Sequence, residues 1–96
     1  MITERARLTI KTGEEPEFEV AFGKAAPLFL RAKGCKGVSI ERVVETPNVY
    51  ILVVDWETLE DHTVTFRGTE DFQEWRRLAG PHFASAPEVE HLQKVA

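Results

Sequence analysis

One cysteine, one methionine and no long apolar run mark what this 96-residue chain does without. Cys35 has no partner for an internal disulfide, and a single thiol makes no cysteine cluster for a metal. A membrane-spanning helix needs about 20 consecutive apolar residues, and no stretch approaches that. The opening segment, "MITERARLTIK", places charges where an export signal needs its apolar stretch, so the expected location is the cytoplasm. The net charge is −4 and the basic residues are scattered rather than striped, which argues against nucleic acid as a partner. Low-complexity segments, internal repeats and linkers are also missing. A chain of this length cannot bury two cores, so residues 1–96 are expected to form one domain.

What is present is a clear alternation of periods. Residues 5–12, "RARLTIKT", alternate strictly, with Ala6, Leu8 and Ile10 on one face, as in a half-buried strand. From Pro16 to about Lys33 the period becomes helical, and Phe18, Phe22, Ala25, Phe29 and Ala32 form one stripe. Glu14, Glu15 and Glu17 suit the start of that helix, and Gly34 suits its end. Pro27 predicts a kink or a break.

"GVSIERVVETPNVYILVVDW" reads as two strands joined at Thr46-Pro47-Asn48. In the second, Val49, Ile51 and Val53 point one way, and Tyr50, Leu52, Val54 and Trp56 the other. Both faces are apolar, unlike a strand with one wet side. Two short helical stretches follow, with Thr58 and Thr69 as caps. The first carries Leu59, His62, Thr63 and Phe66 on one side, and the second Phe72, Trp75 and Leu78. Gly80-Pro81 stops the second, and "EVEHLQKV" supplies a last, edge-like strand.

Strand, helix, strand, strand, helix, strand predicts an α+β, ferredoxin-like βαββαβ fold. Its four-stranded antiparallel sheet carries both helices on one face. The helices cover only one side, so a homodimer through the open sheet face is expected, burying roughly 1,600 Å² or more.

The stretch "YILVVDWETLEDHTVTFRGTEDFQEWRRLAGPHF", with the closing "PEVEHLQKV", resembles the antibiotic biosynthesis monooxygenase superfamily of dimeric α+β barrels. The shared pattern is a strand ending in Trp-Glu, an acidic turn with a histidine, an "FR-x-T-x-x-F-x-x-W" helix and a Pro-x-Phe. The step through Gly34, Cys35 and Gly37 is also similar. The resemblance implies a cofactor-independent monooxygenase acting on a small aromatic or polyketide-like phenol or quinol, with neither metal nor flavin. Such chemistry needs a base for the phenolic proton, an apolar pocket and a donor for the anion. The alternative is a non-catalytic small-ligand-binding or regulatory protein on the same scaffold. The haem-degrading branch resembles the chain at Trp75 but also uses a first-strand asparagine, absent here. Its histidine position falls near Ser85, with His82 displaced by most of a turn.

His62 is the candidate base, since it shares a helical face with Leu59 and Phe66 and titrates near neutrality. The competing account is a buried histidine that merely holds its helix together. His82 is the second catalytic candidate, although its place after a helix end explains it structurally. His91 is expected at solvent or the dimer contact. Trp56, Phe66, Phe72, Trp75 and Phe83 are expected to wall a site for a flat aromatic ligand, or else to be plain core. Arg42 interrupts the apolar face of Val38, Ile40 and Val44, and is expected to pair across a dimer or to steady a ligand oxyanion. The carboxylates Glu57, Glu60, Asp61, Glu70, Asp71 and Glu74 read as mostly solvated. No His/Asp/Glu set has metal-ligand spacing.

Overall fold

The alternation of the first strand reaches back to the second residue. In the computed structural model, which describes residues 1–96, β1 spans Ile2–Thr9 rather than 5–12. Pairing sets these limits. Each of its residues faces one on β3 (Val49–Trp56), from Ile2 opposite Trp56 to Thr9 opposite Val49. Beyond Thr9 the chain leaves the ladder: Ile10 makes a lone bridge to Phe83, and the amide of Lys11 donates to the carbonyl of His82.

The first helix, α1, spans Glu15–Leu30, with Pro16 in its first turn. Phe18, Ala21, Ala25, Leu28 and Phe29 are its buried residues, following the helical stripe. Pro27 does not break it. The proline removes only the amide that would reach the carbonyl of Gly23, and the Arg31 amide still donates to the Pro27 carbonyl. β2 spans Cys35–Arg42 and bulges between Cys35 and Gly37. The second helix, α2, spans Glu70–Ala79, and Thr69 caps it by accepting from the Phe72 amide at 3.2 Å. β4 is Glu88–Gln93.

The strands lie in the order β2-β3-β1-β4, all neighbours antiparallel, which is the ferredoxin-like arrangement. One sheet face carries Ala6, Leu8, Leu52, Val54 and Trp56 against the helices, all at most 2% exposed. The other carries Ile51 and Val53 in the middle, half-buried in the single chain. The register flanks this pair with Arg5 and Arg7 on β1 and Ser39 and Glu41 on β2. The open face is therefore apolar mainly along β3, with Leu92 of β4 exposed on it opposite Thr3. Its neighbours bring charge.

The segment between β3 and α2 departs from the expected short α-helix. Asp61–Thr65 form a single π-helical turn, followed by a 3-10 turn at Phe66–Gly68. Thr58 and Asp61 cap one another: the Asp61 amide donates to Thr58 Oγ1 at 3.1 Å and the Thr58 amide to Asp61 Oδ2 at 3.3 Å. Asp61 is thus only 6% exposed, not a solvated carboxylate, while Leu59 lies outside the core. Gly34, at φ +80°, packs so closely here that a Cβ would overlap the Asp61 carboxylate.

Candidate functional site

The widened turn places His62 on the helix-covered side of the sheet, 3% exposed. Isolated π turns often sit at functional positions, because they reorient a side chain within a helical segment. The His62 ring stacks on Trp56, with centroids 5.4 Å apart and planes 16° from parallel. Its Nδ1 lies 2.8 Å from His91 Nε2, and its Nε2 lies 3.3 Å from Glu4 Oε1. The Trp56 indole N–H donates to that same Glu4 oxygen at 3.0 Å. Three residues from three segments therefore form one chain, Glu4–His62–His91, with Trp56 bracing its inner end.

Glu4 escaped the sequence reading. It stands two residues before Ala6, on the same face by strand period, and is only 4% exposed. Carrying the alternation back one step would have found a carboxylate on an apolar face. His91, expected at solvent or the dimer contact, is half-buried in the single chain and turns its ring to His62. The β1–β4 register sets it opposite Glu4, and its ring meets His62 at 5.0 Å between centroids.

Burial governs the charge states. It raises the Glu4 carboxyl above its ordinary range, partly countered by the Trp56 hydrogen bond and the charge of Arg67. Burial lowers His62 to about 4, helped by Arg67 and His91. His91 is lowered in the same way. His62 is thus a neutral imidazole at neutral pH, and its contact with Glu4 is not a pairing of full opposite charges. Glu4 and His91 engage opposite nitrogens of the ring instead of converging on a point. Consistent with that, no group of three or more His, Cys, Asp or Glu side chains is arranged to hold a metal ion.

Glu4 and His62 line a pocket of about 660 Å³ between the sheet and α2. That volume falls within the range of small-molecule sites, roughly 300–1,000 Å³. Ala6, Leu8 and Leu52 contribute from the sheet, and Phe72, Trp75 and Phe83 from the helical side. Trp56 and Phe66 are not lining residues. They are 0% and 2% exposed and form a second layer, joined ring to ring from His62 through Trp56 and Phe66 to Phe72.

The other two sequence candidates are engaged elsewhere. The Arg42 guanidinium donates to the Tyr50 hydroxyl at 2.8 Å and contacts Glu19, within one chain. Its sheet position is level with Leu8, about 13 Å along the strand from Glu4. His82 turns its Nδ1 to Glu14 at 2.9 Å, tying the end of α2 to the start of α1.

Comparison with known proteins agrees with this architecture. Residues 1–78 match the family model described as antibiotic biosynthesis monooxygenase. The uncharacterized protein YczJ of Bacillus subtilis is 46% identical over 95 residues, covering 99% of this chain and all of that one. A putative antibiotic biosynthesis monooxygenase from Bordetella bronchiseptica, known from its crystal structure, is 50% identical, with a TM-score of 0.96 over 99% of this chain and 97% of its own. SnoaB, a cofactor-independent oxygenase from Streptomyces nogalater, shares the fold at a TM-score of 0.84 and 20% identity, over 99% of this chain and 93% of its own. The chain belongs to the antibiotic biosynthesis monooxygenase family.

Proposed function

We propose that the protein is a cofactor-independent monooxygenase for a small aromatic phenol or quinol, with the Glu4–His62 pair as its base. The observation that carries the reading is the placement of this pair, nearly sealed from bulk water, on the wall of an aromatic pocket. A carboxylate raised by burial and a neutral imidazole in contact can hold one additional proton between them.

The reaction needs the following of these residues. Phe72, Trp75 and Phe83 hold the ring and exclude water. The Glu4–His62 pair takes the phenolic proton, leaving an electron-rich phenolate. The phenolate supplies the electrons that reduce O2, and a C–O bond forms at a ring carbon that still bears hydrogen. The pair returns its proton to the resulting peroxide. Removal of the hydrogen on that carbon as a proton, with cleavage of the O–O bond, leaves a carbonyl and releases water. One oxygen atom enters the product and the other leaves as water. The base acts twice and ends as it began.

A homodimer belongs to the same proposal, with Ile51 and Val53 at the centre of the buried face. The family resemblance and the fold shared with a cofactor-independent oxygenase support the reading. Oxygen uptake with a panel of phenols and hydroquinones tests it. Turnover with quinone formed in step with oxygen consumed is expected. Ligand binding without oxygen consumption would instead favour a binding or regulatory protein.

A further inference from the structure

The mouth of the pocket carries a different chemistry from its floor. Arg67, Gln73, Arg76 and Arg77 all line it, and all are exposed. The chain has more acidic than basic residues, 16 against 12, yet this lining holds three arginines and a single carboxylate, Glu4. Local order explains the clustering. Gln73, Arg76 and Arg77 stand at i, i+3 and i+4 on α2, so they share one helix face, and Arg67 precedes it on the 3-10 turn.

The three arginines are not equivalent. Arg77 is committed, because its Nε and Nη2 donate to the two oxygens of Glu74 at 2.6 and 2.5 Å. Arg67 and Arg76 have no carboxylate partner within 4.0 Å. Arg76 instead lies over the ring of Phe72, 5.9 Å from its centroid, on the wall where a flat ligand would stack. The charge of Arg67 reaches the floor, since it acts on Glu4, His62 and His91 alike.

We infer that the pocket selects an anionic aromatic ligand whose carboxylate lies at the mouth on Arg67 and Arg76 and whose phenol end meets Glu4 and His62. This rests on the aromatic-site reading above and adds a substrate class and an orientation to it. Charge sets the orientation. A carboxylate at the floor would face the carboxylate of Glu4, whereas at the mouth it meets two uncommitted guanidinium groups, which can bind it in a two-pronged fashion. Phe72 lines the same pocket and already carries Arg76 over its ring, so it is the surface offered to the ligand's ring.

The test compares 6-hydroxy-2-naphthoate with its methyl ester, which has the same shape but no charge. Binding is measured by titration calorimetry on the intact wild-type protein and on Arg67→Gln/Arg76→Gln. The acid should bind about tenfold tighter than the ester, and added salt should shrink that margin. The double variant should lose the preference while keeping the ester affinity and an unchanged far-ultraviolet circular dichroism spectrum. Equal binding of acid and ester by the wild type would overturn the inference while leaving the aromatic pocket intact. A preference that survives in the double variant would overturn it as well. Binding of neither probe would sink both this inference and the pocket reading beneath it.

Discussion

Glu4 and His62 meet at 3.3 Å at the base of the pocket, 4% and 3% exposed, although they stand 58 positions apart in the chain. Neither stands alone. Trp56 donates to the carboxylate and stacks on the imidazole, so one indole positions both members.

The first prediction concerns turnover. His62→Ala and Glu4→Gln should each slow oxygen uptake about 10²-fold or more, the usual size of a lost general base. Glu60→Gln and Glu70→Gln, on exposed positions, should leave the rate nearly unchanged, as should Arg42→Gln and His82→Ala. An oxygen electrode with a reactive phenol checks all six. Full turnover in a folded His62→Ala protein would leave that residue a purely structural role.

The pH dependence of stability follows from the same pair. His62 falls from its ordinary 6.5 to about 4, so between those values the unfolded chain binds a proton there and the folded chain does not. Stability at this site is complete above pH 6.5 and lost as pH falls toward 4, by about 3 kcal/mol at most. Glu4 acts with the opposite sign. Its raised carboxyl holds a proton more tightly when folded, so acidification through its range returns part of the loss. Urea melts across this window should show wild-type stability dropping more steeply than that of His62→Gln. Parallel slopes in the two proteins would contradict the assignment.

Assembly separates the two faces of β3. Light scattering should give about twice the 10.9 kDa chain mass for the wild type. Val53 is half-buried on the open face, so Val53→Asp should yield a folded monomer. Leu52 is 2% exposed beneath the helices, so Leu52→Asp should prevent folding altogether. A monomeric wild type, well folded at micromolar concentration, would refute the dimer.

Gly34 links the loop to the site. Gly34→Ala imposes a side chain at φ +80° and drives a Cβ into Asp61, whose cap with Thr58 starts the turn that carries His62. A loss of about 1–3 kcal/mol in denaturant melts is expected, the range for a strained backbone site. The tryptophan emission spectrum should shift as the His62 ring moves off its stack on Trp56. An unperturbed melt would mean that Asp61 can move at no cost.

The apolar stripes of both helices were legible in residue order, because Phe72 and Trp75 follow one helix period and Phe18, Phe22, Ala25 and Phe29 another. So was the sheet, because alternation and the Thr46-Pro47-Asn48 turn depend on near neighbours. The inward turn of His62 followed from the same local rule, although the turn itself is π-helical rather than α-helical.

The partners of His62 were beyond that rule. Glu4 comes into contact only through antiparallel pairing of the first strand with β3, and His91 only through the register that sets β4 beside β1. Arg42 and His82 carry the right chemistry for the site, yet tertiary packing gives them nearer partners in Tyr50, Glu19 and Glu14. Periodicity along a chain states which face a side chain joins, because backbone geometry repeats every few residues. Which side chains from distant strands share that face depends on strand order and register. Those belong to the assembled sheet, and it was the sheet that decided the site.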